Sequence, residues 1–523
     1  MHELSCDVIV VGSGLAGTTA ALAAAEAGAS VTLISLGPLF SGSSFYPGTW
    51  GLGCVGPENE ADVEEFVQTI YEVGQQIPDL KLVRILVGEI PHAFSRLACE
   101  GVALKQPEHA DEQEFIPCFD HKHRTWRGIE RAPYEHAITE LLREHNVRIL
   151  PGLEALELMT SPAKAAPNTD TVTALDAAAA TTHPAVCGIL CFDHNEESPT
   201  AGELVYISAK SVVLATGGSG GLFARRLTGE DVIASAQGMA AGAGAHLINT
   251  EFIQIMPGLV GRGEGIVFNE KIFRHVELLN PDGTPALLAN EAQAILEARS
   301  GHGPFTTMRI SREVDFAMAR AGEAGLRVRY TPPASNASTH TSGAAPAPAS
   351  ATTSADPNLP EFVRVYFAWL KEQAGIEPTD EMRIVPYAHA ANGGIAIDSH
   401  GFTGVPGLYA CGEATGGMHG ADRIGGLASA NALVFGERAG RAAAAHAAVA
   451  PDTSAEPDAP NAPFAPSREP RLGISAACAQ ELTALMQHTM SENCLVIRSH
   501  ASLAEAARTL TNCAAELDAL ATP

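Results

Sequence analysis

The stretch Asp7-Val-Ile-Val-Val-Gly12-Ser-Gly14-Leu-Ala-Gly17 decides the fold of this chain. Its first half is a continuous apolar run of the kind that is buried in a parallel β-sheet. Three glycines follow, and the Ala-rich segment 15–27 then predicts a helix. Glycines at this spacing allow a tight turn, close approach of a pyrophosphate and close packing of helix on strand. We therefore predict a βαβ unit whose helix N-terminus binds the phosphates of a dinucleotide.

A second glycine-rich stretch lies near the other end of the chain, at residues 407–426, and reads GLYACGEATGGMHGADRIGG. An apolar run leads into its Gly412-Glu413 pair, just as an apolar run from Ser211 leads into Gly217. Glycines at strand ends let the backbone approach a flat ligand closely. We therefore expect the two stretches to hold one dinucleotide between them. We interpret it as FAD rather than NAD(P), with Glu413 accepting hydrogen bonds from the ribityl hydroxyls.

The composition disfavours several classes of protein. Of the 523 residues, 33 are Lys or Arg and 60 are Asp or Glu, which gives a net charge of −27. Nucleic acid and anionic membranes are disfavoured as partners, because both attract clustered Lys and Arg. No apolar stretch approaches the roughly 20 residues of a membrane span, and the first residues lack the basic segment of a signal peptide. The ten cysteines include no CxxC pair, so we expect a cytoplasmic protein with reduced thiols and no metal site.

The chain is too long for one simple core, and its sequence pattern divides it. The alternation of strands and helices is lost between about residues 251 and 383, which predicts an inserted domain. We predict an α/β protein that contains, in chain order, the first part of a Rossmann-like FAD-binding domain (1–245), an α+β capping domain (246–382), the second part of the FAD-binding domain (383–450) and a C-terminal helical domain (471–523). Residues 331–360 are almost wholly Pro, Ala, Ser and Thr, so we expect a disordered insertion. Similar compositions predict a linker at 450–470 and a hairpin loop at 160–182.

Four further stretches resemble segments of one flavoprotein family. They are Arg262-Gly-Glu264-Gly, Ser311-Arg312-Glu-Val, Val385-Pro-Tyr-Ala-His389-Ala-Ala-Asn-Gly-Gly-Ile and His419-Gly-Ala-Asp-Arg423-Ile-Gly-Gly. The family is that of the FAD-dependent succinate dehydrogenase and fumarate reductase flavoprotein subunits and L-aspartate oxidase. Its C-terminal helical domain is similar to the segment around residues 485–498, so the resemblance covers nearly the whole chain.

The resemblance implies a site for a small carboxylic-acid substrate. His389 and Arg423 would bind carboxylates, Arg262 and Glu264 would belong to the substrate loop, and Arg312 would be the catalytic proton carrier. A guanidinium binds a carboxylate through two parallel hydrogen bonds, which suits Arg423. An arginine is normally protonated, so Arg312 would act more easily as an acid than as a base.

Each of these residues also has an ordinary structural interpretation. Arg312 would then be a solvated residue at a helix start, paired with Glu313 or Asp315. His389 would be a hydrogen-bonded core histidine, and Arg423 would form a salt bridge with its neighbour.

The resemblance also implies how FAD is held. The stretches from Ser35 to Pro38 and from Ser41 to Tyr46 look most like the L-aspartate oxidase version of the family. The histidine that attaches FAD covalently in the respiratory dehydrogenases has no counterpart, which implies non-covalent FAD. Ser35 replaces the usual acidic residue at the end of the second strand, so a hydroxyl or the backbone would hold the ribose. The expected cofactor-binding residues are Gly12, Gly14, Leu15, Ala16, Gly17, Ser35, Ser41, Ser43, Ser44, Gly217, Glu413, Ala428 and Ser429.

Two departures from the family pattern affect the substrate site. The family's Gln-Phe-His-Pro-Thr-Gly reads Gln254-Ile-Met256-Pro-Gly258 here, and a thioether cannot replace an N–H donor. The element that carries the substrate-sensing glutamate of the aspartate oxidases reads Cys118-Phe-Asp-His121. A less polar or differently shaped substrate is therefore one expectation.

Three functions are compatible with these motifs. The first is oxidation of L-aspartate to iminoaspartate for NAD biosynthesis, by hydride transfer to flavin N5. The second is reduction of fumarate or another unsaturated acid, and the third is an accessory flavin subunit that passes electrons within a complex. The electron acceptor would be O2, fumarate or a quinone.

Overall fold

The computed structural model describes residues 2–49, 52–106, 124–161, 184–306, 309–331, 361–450 and 475–520. Four sequence predictions fall wholly or almost wholly outside these residues. They are the segment Cys118–His121, the hairpin loop at 160–182, the insertion at 331–360 and the linker at 450–470.

A sheet of seven strands confirms the predicted α/β architecture. Its strands run in the order Arg148–Pro151, Val31–Ser35, His2–Val11, Leu204–Leu214, Ala185–Asp193 and Leu153–Ser161, and Leu408–Ala410 pairs with Leu204–Leu214. The first four strands and Leu408–Ala410 pair in parallel, and the other pairings are antiparallel. The apolar run from Ser211 is the second half of strand Leu204–Leu214, which has 11 residues. Neither Gly nor Pro interrupts this strand, so the backbone stays extended.

Two helices explain why the distant glycine stretches meet. Leu15–Glu26 starts at the first stretch, and Leu427–Val449 starts at the end of the second. A Cβ atom on Gly440 would lie 2.2 Å from the carbonyl oxygen of Ala20, so the helix backbones are in direct contact. Because each helix begins at a glycine loop, their close packing places the two loops side by side. The other helices of this domain are Val63–Val73, Leu80–Cys99, Arg131–Glu144 and Ser235–Gly242.

The inserted segment forms the cap sheet, a four-stranded antiparallel sheet. Its strands run in the order Ile253–Leu259, Met382–Ala391, Leu326–Tyr330 and Val276–Leu279. The helices Ala292–Arg299, Arg312–Arg320 and Glu361–Ala374 accompany it. Its core contains a cluster of aromatic rings, in which Phe268 lies 5.0 Å from Phe273 and 6.4 Å from Tyr366. This core is separate from that of the large sheet.

The predicted start of the second FAD-binding segment, at residue 383, differs from the structure. Strand Met382–Ala391 pairs with Ile253–Leu259 on one side and with Leu326–Tyr330 on the other, so it completes the cap sheet. An apolar strand pattern does not reveal which of two sheets the strand joins. Register and side-chain packing in the folded protein decide it.

The C-terminal helical unit is a hairpin of Ala476–Cys494 and His500–Leu520. It docks on the rest of the chain through Gln487 Nε2, which donates to the Gly221 carbonyl at 2.9 Å, and Arg498, which donates to the Glu251 carbonyl at 2.8 Å. Smaller sheets comprise Leu52–Gly56 with Thr125–Ile129 and Leu104–Lys105, and Leu247–Ile248 with Gly394–Ala396 and Thr415–Gly416. Within the described ranges, no helix is both long and apolar enough to cross a membrane.

Candidate functional site

A cavity extends from the start of helix Leu15–Glu26 to the cap sheet, and twelve of the thirteen predicted cofactor residues line it. They are Gly12, Gly14, Leu15, Ala16, Ser35, Ser41, Ser43, Ser44, Gly217, Glu413, Ala428 and Ser429. His389 and Arg423 line the same cavity. The fold thus brings the predicted cofactor residues and two of the predicted substrate residues to one place.

The thirteenth residue, Gly17, shapes the turn from behind. A Cβ atom on Gly17 would lie 1.8 Å from the carbonyl oxygen of Gly12, which no relaxation of a flexible side chain can relieve. Gly12 itself has φ +104°, and its own Cβ would lie 2.4 Å from the Ala215 carbonyl oxygen. Both positions therefore require glycine, and the turn places the N-terminus of helix Leu15–Glu26 at the cavity.

The loop from Ser41 to Thr49 forms a second wall and is held by a residue that the sequence analysis missed. Arg131 donates from Nε to the Ser44 carbonyl at 3.0 Å, from Nη1 to the Thr49 carbonyl at 3.0 Å and from Nη2 to Thr49 Oγ1 at 2.9 Å. Ser44 Oγ in turn accepts from the Leu15 N–H at 3.3 Å. Arg131 thus fixes the serine loop over the helix N-terminus, a role that no sequence motif indicates.

We expect Arg131→Ala to weaken FAD binding by about 10- to 100-fold. The change removes three hydrogen bonds from a charged donor to the loop. Because water replaces most of them in the variant, we expect a net loss of about one such bond, or about 1.5–3 kcal/mol. The dissociation constant of FAD is measured by fluorescence quenching on the apoprotein. Arg143→Ala, on the exposed side of the same helix, is the matched control. Equal FAD affinities of the two variants would contradict the clamp role.

Further residues of the cavity lining also fit FAD. Leu153, Glu154 and Ala155 line it beside Ser35 and were not predicted, because no motif marks them. Leu36 and Ile233 are apolar side chains that line the cavity while 40% and 39% exposed, which offers surface to a flat ring. The buried Oγ1 atom of half-buried Thr216, another lining residue, has no hydrogen-bond partner in the described part of the chain. A polar ligand with ring and phosphate groups matches these features.

Glu413 connects the cofactor end of the cavity to the cap. Its Oε1 accepts the Ala391 N–H at 2.8 Å, at the end of strand Met382–Ala391. Desolvation raises the pKa of Glu413, while that backbone N–H and the charge of Arg423 oppose the rise. The carboxyl group is thus positioned between the predicted flavin site and the predicted substrate site, and its bond to ribityl hydroxyls stays a prediction.

His389 projects from an irregularity in the cap sheet. Gln254 pairs with Ala390 and Ile255 pairs with Ala388, so the register shifts and His389 is the extra residue of a β-bulge. Bulges redirect side chains and are common beside active sites. Burial and then the charge of Arg423 lower the pKa of His389 to about 3, so the imidazole is neutral at ordinary pH. Its Nδ1 atom is buried without a hydrogen-bond partner among the described residues.

Arg423 is the buried cation of the site, with 5% of its surface exposed. Burial and the Arg423 charge also lower the pKa of His419 to about 3, so a neutral imidazole accompanies Arg423 there too. The neighbouring Asp422 carboxylate accepts from the Arg423 backbone N–H and from Gln254 Nε2, both at 2.9 Å. Burial raises the pKa of Asp422 to about 6 in spite of these bonds.

The binding of an anion beside Arg423 is therefore expected to weaken as pH rises through about 6. Below that pH Asp422 is protonated and neutral, and above it the carboxylate offsets part of the Arg423 charge. The loss is about tenfold for a change of one nearby charge, on the order of 1.4 kcal/mol. The measurement is the affinity of a fully ionised carboxylic acid between pH 5 and 8. Asp422→Asn should remove this dependence, and parallel curves for both proteins would contradict it.

The other predicted substrate residues lie away from the cavity lining. Arg262 donates from Nη1 to Asp380 at 3.0 Å and from Nε to the Ala374 carbonyl at 3.1 Å, on the exterior of the cap. Glu264 is exposed in the same loop. Arg312 begins helix Arg312–Arg320 with its side chain 52% exposed, and its Nε lies 3.7 Å from Glu313. The roles of Arg262, Glu264 and Arg312 therefore stay predictions. These roles would require the three side chains to approach the cavity.

Besides His389 and Ala390, the cap contributes four lining residues for which no binding or catalytic role was predicted. Met256 lines the cavity where the family pattern has a histidine, together with Glu270, Gly303 and Pro304. The glutamate could not be identified from a motif, because it lies at the start of a short turn, Glu270–His275, that only folding places at the cavity. Among the described residues, no cluster of His, Cys, Asp or Glu could hold a metal ion.

Comparisons with known proteins give a consistent result. A family described as "FAD binding domain" matches residues 7–302 and 311–428. The L-aspartate oxidase of Caulobacter vibrioides is 31% identical over 464 residues, which cover 86% of this chain and 78% of that protein. The L-aspartate oxidase of Streptomyces coelicolor is 28% identical, covering 98% of this chain and 80% of that protein. One of the subunits of the fumarate reductase (CoM/CoB) of Methanothermobacter marburgensis is 27% identical, with coverages of 84% and 73%.

Solved structures agree on the fold. Mycobacterium smegmatis Sdh1, in complex with UQ1, superposes with a TM-score of 0.71 at 21% identity, covering 98% of this chain and 81% of that one. The E. coli quinol fumarate reductase FrdA gives a TM-score of 0.68 at 21% identity, with coverages of 98% and 83%. These likenesses extend the match in architecture to the cap and the C-terminal helices.

Proposed function

The chain belongs to the family of FAD-dependent oxidoreductases that includes the L-aspartate oxidases and fumarate reductase flavoproteins, and we propose that it transfers a hydride between FAD and a carbon next to a carboxylate held by Arg423 and His389. FAD, when bound, supplies the hydride acceptor or donor at its N5 position. The observation that carries the proposal is a buried guanidinium beside a neutral imidazole, in the same cavity as the cofactor loops. That pair matches the chemistry of a carboxylate anion.

The protein's own groups have distinct tasks in this proposal. Arg423 binds the carboxylate with two hydrogen bonds and keeps it next to the flavin site. Neutral His389 donates one further hydrogen bond and adds no charge. Gly12, Gly14 and the serine loop around Ser44 hold the cofactor phosphates. Arg312 is the proposed proton carrier, which delivers a proton in the reductive direction and removes one in the oxidative direction.

L-Aspartate is the first candidate substrate, because two aspartate oxidases match most of this chain. Anaerobic incubation of the FAD-loaded protein with L-aspartate should then bleach the flavin bands near about 370 and 450 nm, since hydride transfer reduces the cofactor. Absence of bleaching would remove L-aspartate from consideration, and absence of bleaching by any carboxylic acid would contradict the oxidative proposal.

Reduction of an unsaturated acid is the second candidate, favoured by Met256 at a position where the family pattern has a carboxylate-binding histidine. Mixing the reduced holoenzyme with fumarate and with longer enoates, using reduced viologen as electron source, tests it through viologen oxidation. Turnover by the isolated chain in either assay would exclude a purely accessory electron-transfer role. The same assays with O2, fumarate and a quinone would identify the electron acceptor.

A further inference from the structure

The two ends of the substrate part of the cavity differ in charge. At one end, Arg423 contributes to the lowered pKa of His389 and of His419. At the other end lies Glu270, whose pKa responds to the charges of Lys271 and Arg299 instead. Gln254 Nε2 donates to the Arg423 carbonyl at 2.8 Å, whereas Glu270 lies with Met256 beside Gly303. Gln254 and Met256 are two residues apart on strand Ile253–Leu259, so Arg423 and Glu270 lie beside different positions of this strand.

The strand between these ends offers almost no hydrogen-bonding side chain. Strand Ile253–Leu259 reads IQIMPGL, and Gln254 is its only residue with a polar side chain. The Gln254 amide is already engaged, since Nε2 donates to Asp422 Oδ1 at 2.9 Å and to the Arg423 carbonyl at 2.8 Å. Met256, which lines the cavity, presents a thioether that has no proton to donate. This wall therefore provides no side-chain donor for a second carboxylate.

Glu270 and Met256 lie close together in the cavity wall, beside Gly303. A Cβ atom built on Gly303 would lie 3.4 Å from Met256 Sδ and 3.7 Å from the Glu270 carboxyl carbon. The Gly303 segment is itself fixed, because Arg299 Nη2 donates to the Gly303 carbonyl at 3.1 Å and Arg299 Nε donates to Asp315 at 2.8 Å. The Glu270 carboxyl group and the Met256 thioether thus lie beside the same segment of the wall, which the hydrogen bonds of Arg299 hold in place.

The Glu270 carboxyl group has a backbone hydrogen bond but no cationic side-chain partner among the described residues. Within the described residues, no Lys, Arg or His forms an ion pair with Glu270. The charge of Arg299 affects the pKa of Glu270, but the Arg299 guanidinium already forms an ion pair with Asp315. Desolvation raises the pKa of Glu270, and a cationic ligand group would relieve that cost. A second ligand carboxylate at this place would meet the carboxyl oxygens of Glu270 instead of a cationic donor.

We propose that the substrate is an amino acid with a single carboxylate, which binds Arg423 and His389, and an ammonium group at its far end, which binds Glu270 across an apolar spacer against Met256. The inference rests on the proposed hydride transfer, and it replaces L-aspartate, the first candidate from the comparisons, with ω-amino acids as the preferred substrate class of the same site. Glu270 is the specificity-determining residue of this arrangement, and Met256 excludes the alternative dicarboxylate.

The test compares three ligands of similar length on the FAD-loaded protein: 4-aminobutyrate, butyrate and succinate. A parallel set built on 5-aminopentanoate covers a longer spacer. Binding is measured by the perturbation of the flavin absorption spectrum and by calorimetry, so that it does not depend on turnover. We expect the ω-amino acid of at least one set to bind ten times or more as tightly as the matching dicarboxylate.

Two variants assign the preference to its residues. Glu270→Gln should reduce the ratio of ω-amino acid to dicarboxylate affinity at least tenfold, and adding Met256→His should raise dicarboxylate affinity further. Glu277→Gln, at an exposed position of the cap sheet, is the matched control and should leave the ratio unchanged. Retained flavin spectra show that each variant is folded.

The outcomes separate the two proposals. Dicarboxylates that bind as tightly as the ω-amino acids, or a ratio that Glu270→Gln leaves unchanged, would overturn the inference about Glu270 while the hydride-transfer proposal stands. If no ligand of either set perturbs the flavin, the inference fails. If, in addition, no carboxylic acid reduces the flavin or reoxidises its reduced form, the proposed function fails as well.

Discussion

Replacing Arg423 by Gln is expected to lower kcat/KM for every acid substrate by about 30- to 3,000-fold while FAD remains bound. Arg423 is the buried cation of the cavity, and the histidines beside it are neutral because their pKa values lie near 3. A substrate carboxylate would then be buried without its charged partner, at a cost of about 2–5 kcal/mol. Steady-state kinetics together with acid titrations of the flavin spectrum measure the loss.

The control for this variant is Arg441→Gln, which changes an exposed arginine on helix Leu427–Val449. That helix begins just after the glycine stretch that carries Arg423, so the control reports any general effect of losing an arginine nearby. Arg423→Lys should recover part of the affinity for the acid, because it restores the positive charge but not the two parallel hydrogen bonds of a guanidinium. Acid binding that is equally tight in Arg423→Gln and in the wild type would exclude Arg423 as the carboxylate partner.

Replacing Arg312 by Gln is expected to lower turnover by about 10²- to 10⁴-fold, the usual contribution of a positioned proton donor or acceptor. FAD affinity and acid binding should be nearly unchanged, since Arg312 does not line the cavity. The Arg312 side chain is 52% exposed and lies 3.7 Å from Glu313, so proton transfer would require it to turn towards the cavity. Turnover, FAD affinity and acid affinity are measured on the same preparation.

Arg320→Gln, at the other end of helix Arg312–Arg320, is the matched control. If Arg312→Gln turns over as fast as this control, Arg312 is the solvated helix-start residue that its sequence context also allows. The proton carrier would then be another titratable group that lines the cavity, such as Glu270 in the cap.

The cofactor half of the site could be predicted closely, because its information is local. The strand, turn and helix around Gly12 and Gly17 are consecutive in the chain, and the distances that forbid a side chain at these positions come from neighbouring backbone. Glu413 follows a strand in the same way. The two glycine loops lie side by side because the helices that follow them pack closely through small residues. Those small residues are visible in the Ala-rich and Gly-containing sequence of helix Leu427–Val449.

The sequence by itself therefore determined the fold class and the FAD cofactor, and it predicted residues that line one cavity, Arg423 and His389 among them. The tertiary structure alone decided that strand Met382–Ala391 joins the cap sheet, that a bulge directs His389, and that Arg131 clamps the serine loop. It also placed Glu270 beside Met256 at Gly303. The physical reason is that register, bulges and packing between separate elements depend on contacts between residues far apart in the chain. The secondary-structure propensities of neighbouring residues do not specify such contacts.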